Sequence, residues 1–144
     1  MVEVGTKDVT TRQAVAECTI TMTPEACARL VAGTPKGNPL EAAKIAGLMA
    51  AKRTPDLLPF CHPIAITGAE VVLEADAGAG SIRVEATVTA TDRTGVEMEA
   101  LTAAAVSALS LYDTAKAFDR AAEISGLRLV AKSGGKSGDY RRGD

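Results

Sequence analysis

The sequence of 144 residues predicts an α+β fold, in which helices cover one face of an antiparallel sheet. Residues 66–76 and 81–91 both alternate between apolar and polar side chains, and a turn at Asp76–Gly80 joins them, which predicts an antiparallel hairpin. Residues from Gly95 to about Arg120 are rich in alanine and apolar around much of the circumference, which is typical of a helix buried on more than one side. The strands and helices lack the regular spacing of a parallel doubly wound sheet, so the antiparallel arrangement is favoured.

The remaining elements follow in order along the chain. Residues 12–22 combine β-branched side chains with polar interruptions and predict a strand. Thr23 and Pro24 suit the N-cap and the first position of a short helix that ends near Gly33. After a loop of glycine and proline residues, residues 39–53 carry apolar side chains at helical spacing and predict a second helix.

The other segments are shorter or irregular. Residues 54–63 contain three prolines and predict a stiff, irregular segment. The apolar residues of 127–130 predict a final strand. Residues 133–144 form a glycine-rich polar tail, which we expect to be mobile unless a ligand holds it. We expect residues 1–144 to form a single domain of ferredoxin-like type.

The composition limits the class of protein. Aromatic residues make up only 3% of the chain and there is no Trp, so one subunit buries a modest core and we expect an oligomer. The formal net charge of −2 argues against a general nucleic-acid binder. Three cysteines without metal-binding spacing, an N-terminus without a secretory signal and the lack of a membrane-length apolar segment favour the cytoplasm.

The first candidate functional pair is Asp113 and Lys116, whose spacing places them on one face of the long helix. Such a pair is commonly a surface ion pair worth about 0.3–0.5 kcal/mol. The flanking residues are mostly apolar, which favours partial burial here. A buried lysine whose pKa falls toward neutrality can act as an acid or a base, so the catalytic and the surface interpretation both stay open.

Two further segments carry candidate binding residues. Cys61 and His62, the only histidine, lie between prolines that fix the backbone, which predicts a pocket wall rather than a metal site because a metal needs more ligands. Glu97 and Glu99 open the long helix, where acidic side chains complement the helix dipole. One of these carboxylates could instead accept hydrogen bonds from the N1–H and amino group of a guanine-like ring.

The basic residues are each more typical of a solvated surface than of a ligand site. Residues 132–138 resemble a phosphate-binding loop in composition only, since the Walker A order of residues is absent. The basic set comprises Arg12, Lys36, Lys52, Arg53, Lys132 and Lys136.

Five segments taken together resemble the cyclic pyranopterin monophosphate synthase family of molybdenum cofactor biosynthesis (the molybdenum cofactor biosynthesis protein C family). They run in order through nearly the whole chain, which makes the resemblance more specific than any one motif. The segments are 44–54 (KIAGLMAAKRT), 58–63 (LPFCHP), 94–104 (TGVEMEALTAA), 112–117 (YDTAKA) and 129–138 (LVAKSGGKSG).

The resemblance implies a lyase that converts (8S)-3′,8-cyclo-7,8-dihydroguanosine 5′-triphosphate to cyclic pyranopterin monophosphate and releases pyrophosphate. It implies a ferredoxin-like subunit in a homohexamer, a trimer of dimers, with active sites at subunit interfaces. It implies a small-molecule substrate and neither a nucleic-acid nor a membrane partner. No redox change, electron-carrying cofactor or metal site is implied, and assistance from Mg²⁺ at the phosphates is left open.

The resemblance also implies roles for individual residues. Asp113 and Lys116 would be the catalytic pair. The residues that would line the substrate site are Phe60, Cys61, His62, Glu97, Met98 and Glu99, while Arg12, Lys36 and Lys132 would contact phosphate or assist proton transfer.

The sequence departs from the family pattern in three places. The family usually carries a polar, histidine-containing stretch ahead of the segment that matches Met1–Val4, so the role of that stretch is open here. Asn38 stands where an acidic residue is common, and Ala115 where the residue is often larger.

Two other functions stay open. A ferredoxin-like nucleotide- or pterin-binding regulatory module without catalysis would keep the pocket but would not need Lys116. A metal-dependent nucleotide hydrolase would use His62 and the carboxylates, but it is disfavoured because one histidine without an acidic cluster makes a poor metal site.

Overall fold

The computed structural model describes residues 1–143, and its fold is one antiparallel sheet with helices on one face. The strands lie in the order β2-β3-β1-β4-β5 and all neighbours are antiparallel, which confirms the predicted α+β, ferredoxin-like fold. The strands are β1 (Thr10–Thr21), β2 (Ile66–Asp76), β3 (Ser81–Asp92), β4 (Glu123–Ser133) and β5 (Tyr140–Arg141). The helices are α1 (Pro24–Ala32), α2 (Pro39–Lys52), α3 (Thr54–Leu57) and α4 (Glu97–Ala115).

Alternation along β1 and β3 separates the two faces of the sheet. The core face carries small and β-branched residues that are fully buried, such as Ala16 opposite Ala86 and Ile20 opposite Ile82. The opposite face is polar, and there Glu17 Oε2 accepts from Arg83 Nη2 at 2.7 Å. Burial raises the pKa of Glu17, but hydrogen bonds from Arg128 and Arg83 and their charges outweigh this effect and lower it overall.

The short helix α1 has the predicted caps. Thr23 Oγ1 accepts from Ala26 N at 3.2 Å, and Pro24 occupies the first turn, where its missing N–H has no cost. The helix ends at Gly33, whose φ of 91° lies in the left-handed region that glycine tolerates.

Helix α2 begins at a side-chain cap supplied by Asn38. The Asn38 side chain accepts from Leu40 N at 3.0 Å and from Glu41 N at 3.3 Å. Asparagine and aspartate cap helices comparably well, so the asparagine that replaces the common acidic residue keeps this local function.

Helix α4 packs against the sheet on one side and against α2 on another, as its alanine-rich composition predicts. The two helices approach closely at Gly47, where a Cβ atom would lie 2.1 Å from Ser107 Oγ and 2.9 Å from Ala103 O. Ser107 is itself buried and donates to Ala43 O at 3.0 Å. Small side chains therefore set the spacing of the helix pair.

Two helical boundaries differ from the prediction. The segment 54–63 is not wholly irregular, because it begins with the single turn of α3. Helix α4 ends at Ala115 rather than near Arg120. The carboxylate of Asp119 accepts from Thr23 N at 2.8 Å and from Ala121 N at 2.9 Å, and such side-chain bonds compete with helix continuation.

The last strands also differ from the prediction. Strand β4 covers Glu123–Ser133 rather than only 127–130, because it pairs with β1 across two register shifts. In the tail, Tyr140–Arg141 forms β5 and pairs with Ala131 and Lys132, while its mobility stays a prediction. Asp144, the last residue of that tail, lies outside the described residues. No helix within residues 1–143 has the length and apolar character of a membrane span.

Candidate active site

The first part of the site is a cavity of about 320 Å³ at the N-terminal end of α4, which we call the carboxylate pocket. It brings together all six residues that were expected to line the substrate site. Three of them lie on the connection between α3 and β2, and the other three lie in the first turn of α4. The lining residues are Phe60, Cys61, His62, Ile64, Thr94, Gly95, Glu97, Met98 and Glu99.

Short local bonds and prolines position these residues. Cys61 N donates to Leu58 O at 3.2 Å, which closes a turn after α3, and Pro59 and Pro63 restrict the backbone on both sides of Cys61 and His62. Phe60 is 77% exposed in the single chain, so much of its surface is open to a ligand or a second copy.

The two carboxylates of α4 have different environments. Glu99 is 3% exposed, and burial raises its pKa, with a further contribution from the charge of Glu97. Burial and the charge of Glu99 also raise the pKa of the Cys61 thiol. A raised pKa disfavours the thiolate form of Cys61, whose side chain lines the pocket.

The second part of the site is a cavity of about 210 Å³, the cationic pocket, which shares the wall Thr94, Gly95 and Glu97 with the carboxylate pocket. Lys132 Nζ lies 3.1 Å from Glu97 Oε1 and 2.9 Å from Ser137 Oγ. Besides that shared wall the lining residues are Lys7, Arg12, Gln13, Val96, Lys132, Ser133, Gly134 and Ser137. Two predicted basic residues, Arg12 and Lys132, therefore lie beside the predicted carboxylates.

Arg12 is held by main-chain acceptors. Its Nε donates to Asp92 O at 2.9 Å and its Nη2 to Arg93 O at 3.3 Å, which fixes the guanidinium without neutralising it. Gly135, at φ 84°, lies against this guanidinium, since a Cβ atom there would be 2.0 Å from Arg12 Nη1. The glycine-rich segment thus closes over Arg12 because it lacks side chains at that point.

The third part is a cluster at the C-terminal end of α4, made of Lys36, Asp113 and Lys116, which we call the α4 C-terminal cluster. Lys116 Nζ lies 2.6 Å from Asp113 Oδ1. The hydrogen bond from Lys116 lowers the pKa of Asp113, and the charges of Lys116 and Lys36 lower it further. Lys36 lies on a loop that Thr34 orders, since Thr34 Oγ1 donates to Gly37 O at 3.3 Å and accepts from Lys36 N at 3.3 Å.

The expected partial burial of the pair does not occur within one chain. The side chains of Asp113 and Lys116 are 76% and 55% exposed. Of the flanking apolar residues that suggested burial, Leu109 and Phe118 are exposed, whereas Ala108, Leu111 and Ala115 are buried against the fold. At helical spacing, Asp113 and Lys116 point away from those residues, so the same sequence places the charges on the outer surface.

The α4 C-terminal cluster and the carboxylate pocket lie far apart in the single chain. From position 97 to position 113 the helix rises by about 24 Å, at about 1.5 Å per residue. A small phosphorylated substrate cannot contact both ends of α4 in one copy.

Within residues 1–143, no three His, Cys, Asp or Glu side chains are grouped closely enough to hold a metal ion.

Several lining residues were not predicted from the sequence. Thr94 and Gly95 belong to the same segment as Glu97, from which only Val96 separates them, so their place in that motif was an available signal. Ser137 likewise lies within the segment 129–138, whereas Lys7 carried no such signal, because it precedes β1 and only tertiary folding brings it to Arg12.

The fold and these pockets define an α+β protein with two adjoining cavities, one lined by the carboxylates of Glu97 and Glu99 and the other by the cations of Arg12 and Lys132. The sequence profile of the MoaC family matches residues 1–135, and the chain belongs to this family.

Curated relatives agree with this assignment along the whole chain. The cyclic pyranopterin monophosphate synthase of Parvibaculum lavamentivorans is 57% identical over 143 residues, which cover 98% of this chain and 89% of the relative. The enzyme of the same name from a Roseiflexus species is 53% identical over 141 residues, covering 97% and 89%. The one from Streptomyces griseus is 54% identical over 143 residues, covering 99% and 80%.

Proposed function

We propose that this chain is a lyase that converts (8S)-3′,8-cyclo-7,8-dihydroguanosine 5′-triphosphate to cyclic pyranopterin monophosphate and releases pyrophosphate, an early step of molybdenum cofactor biosynthesis. The names of its relatives and its family support this reaction. The structural observation that carries it is the wall of Thr94, Gly95 and Glu97, which the carboxylate pocket and the cationic pocket share. A ligand with a guanine-derived ring and a triphosphate fits a site with acceptors at one end and cations at the other.

Binding follows from the chemistry of each pocket. The carboxylate of Glu99 accepts hydrogen bonds from the ring N1–H and amino group, while Phe60, His62 and Met98 surround the ring. Arg12 and Lys132 contact the phosphates. The Lys132–Glu97 pair is 24% and 29% exposed, so a bound phosphate can compete with Glu97 for the ammonium group.

The chemistry requires proton transfers and stabilisation of a leaving group. The cyclic phosphate forms when a hydroxyl oxygen of the substrate bonds to the α-phosphorus and the bond from that phosphorus to pyrophosphate breaks. The hydroxyl proton must be removed, and the electron pair leaves with pyrophosphate. Lys116 is the proposed acid–base group and Asp113 orients it through the 2.6 Å contact, while the cations stabilise the departing charge.

The distance between the ends of α4 leads to a site built from two copies. We place the α4 C-terminal cluster of one subunit against the carboxylate pocket of a second subunit, in a homohexamer arranged as a trimer of dimers. The second subunit would exclude water from Lys116, which the single chain leaves exposed. We place the enzyme in the cytoplasm, where its free thiols Cys18, Cys27 and Cys61 stay reduced.

The reaction itself is tested by incubating the protein with the cyclised dihydro-GTP, with and without a chelator, and measuring pterin product and pyrophosphate. We expect both products under both conditions. Binding without turnover would instead support a regulatory module, and loss of turnover with the chelator would support metal-dependent chemistry.

Mixing two defective variants, assayed at a substrate concentration too low to saturate Glu99→Gln, tests the composite site. Lys116→Ala and Glu99→Gln are combined in equal amounts, dissociated and reassembled. If each site takes Lys116 and Glu99 from different subunits, random mixing restores both residues in about one quarter of the sites. Each variant treated alone is the control, and a mixture that stays as inactive as its components would show that both residues act from the same chain.

A further inference from the structure

A short N-terminal segment crosses the edge of the cationic pocket. We call residues 5–8 the strap; they precede β1 and belong to no helix or strand. Lys7 N donates to Val4 O at 3.0 Å, so the segment enters through a turn. The strap brings the side chain of Lys7 to the wall of the pocket.

Arg93, one residue beyond β3, holds the strap by its backbone. Its Nη1 donates to Gly5 O at 2.9 Å and to Lys7 O at 2.6 Å. Both acceptors are main-chain carbonyls, so the guanidinium fixes the path of the strap and its charge is not neutralised by a carboxylate. The main-chain oxygen of Arg93 in turn accepts from Arg12 Nη2. Arg93 therefore links the strap to Arg12 in the wall of the cationic pocket.

A larger cavity of about 1000 Å³ continues from the cationic pocket, with which it shares Lys7, Arg12 and Ser137. Three cavities therefore follow one another, beginning with the carboxylate pocket, and Lys7 lies where the second meets the third. The other residues of the larger cavity are Thr6, Asp8, Thr10, Gly135 and Lys136.

Positive charge exceeds negative charge along the second and third cavities. Lys7, Arg12, Lys132 and Lys136 line them, against the carboxylates of Asp8 and Glu97. Glu97 is paired with Lys132, whereas in the described part of the chain no carboxylate lies within 4 Å of the charged groups of Lys7 and Lys136. This local excess of cations stands in a chain whose formal net charge is −2.

We propose that Lys7 is a further substrate ligand, which binds the phosphates farthest from the ring, and that Arg93 is the positioning residue that holds it there. The proposal rests on the proposed function, which places the ring at Glu99 and the phosphates beyond Thr94–Glu97. Along that direction the phosphate nearest the ring meets Arg12 and Lys132, and the terminal phosphates reach Lys7 and Lys136. The two terminal phosphates are those that leave as pyrophosphate.

The test measures pyrophosphate binding to the full chain by titration calorimetry, without turnover. Lys7→Ala should weaken binding by about tenfold or more, because a charge-assisted hydrogen bond is lost. Lys7→Arg should restore most of the affinity. The matched control is Lys44→Ala, which removes a lysine from the middle of α2, where it pairs with Glu41, and should leave binding unchanged.

Arg93 is tested by a double-mutant cycle. Arg93→Gln should weaken pyrophosphate binding, and Arg93→Lys should recover only part of it, because an ammonium group cannot reproduce the guanidinium geometry. If Arg93 acts through Lys7, the double variant should bind no more weakly than Lys7→Ala. Additive losses, or complete rescue by Arg93→Lys, would overturn the positioning role. Far-ultraviolet circular dichroism checks that each variant is folded.

The outcomes separate this inference from the proposed reaction. Pyrophosphate affinity that is unchanged by Lys7→Ala would overturn the role of Lys7 even in a fully active enzyme. Lys7-dependent pyrophosphate binding by a wild-type protein that does not convert the cyclised dihydro-GTP would support the anion site and refute the proposed function.

Discussion

At the scale of single residues, the ionisable groups of the site differ in what surrounds them. Glu99 is 3% exposed within its own chain, so its environment is complete in one subunit. The side chain of Asp113 is 76% exposed and that of Lys116 is 55% exposed, so solvent is their main environment in the single chain. Perturbed carboxylates commonly mark functional sites, which supports the proposed role of Glu99 in recognition.

Glu99→Gln should stabilise the folded chain at neutral pH. Burial raises the pKa of Glu99, so the folded state binds its proton more tightly than the unfolded state. The linked stability is fully present below the unfolded pKa and is lost as the pH rises through the folded pKa. Urea unfolding should therefore give similar stabilities for both proteins near about pH 4 and a more stable variant near about pH 8. Equal stabilities at both pH values would contradict the raised pKa.

The same variant should bind substrate more weakly. Glutamine at position 99 cannot offer a charged acceptor to the ring N1–H and amino group. Substrate binding should therefore become less favourable by about 1.5–3 kcal/mol. Equilibrium binding of the cyclised dihydro-GTP measures this loss. Unchanged affinity would leave Glu99 as a buried acid of the first turn with no part in recognition.

Lys116→Ala and Asp113→Ala should each reduce turnover by about 10²-fold or more, as expected for loss of an acid–base group. Because Asp113 orients Lys116, the double variant should be little worse than either single variant. Lys44→Ala is a matched control, since Lys44 forms an ion pair of the same spacing with Glu41 at 2.9 Å. Near-normal turnover by Lys116→Ala would refute the proposed catalytic group, and additive losses would indicate two separate roles.

At the scale of the elements, the close contact of α2 and α4 depends on Gly47. Gly47→Ala should destabilise the fold by about 1–3 kcal/mol, because the added Cβ would overlap Ser107 Oγ. Gly68→Ala in β2 is the control, since its nearest neighbour would lie 3.9 Å away. Denaturant unfolding measures both. The pair Gly47→Ala and Ser107→Ala should recover part of the loss, and no loss in the single variant would show that the helices can separate without cost.

Local patterns predicted the elements that local interactions determine. The β2–β3 hairpin and the caps of α1 follow from alternation and from Thr23 and Pro24, and the structure places them as expected. The end of α4 and the extent of β4 were not predictable in this way. The carboxylate of Asp119, which follows the end of α4, accepts a hydrogen bond from Thr23 N, and Thr23 is distant in sequence. Strand β4 extends beyond the predicted residues because it pairs with β1.

The candidate site shows the same division. Phe60–His62 and Glu97–Glu99 are short motifs, and the fold brings the two motifs to one pocket. The sequence could not indicate Lys7, because its position depends on two hydrogen bonds from Arg93. Asp113 and Lys116 are exposed because the face of α4 that carries Leu111 and Ala115 is the buried one, and the tertiary packing that buries it was not available from the sequence.

At the scale of the whole molecule, the exposed apolar surface supports assembly. Light scattering at micromolar concentration should give about six times the 14.8 kDa mass of one chain, since monomers would expose large apolar side chains to water. A stable monomer would contradict both the hexamer and the composite site. The exposed side chains include Ile45, Met49, Leu57, Phe60, Leu109 and Phe118.

The separation of the two ends of α4 has a genetic consequence. If each chain contributes the N-terminal end of its α4 to one site and the C-terminal end of the same helix to another, a subunit that is defective at both ends of α4 disables two sites. A cell that expresses a normal and a doubly defective allele equally would keep about a quarter of its sites, rather than half. Such an allele would be partly dominant, whereas two alleles damaged at opposite ends of α4 would complement each other.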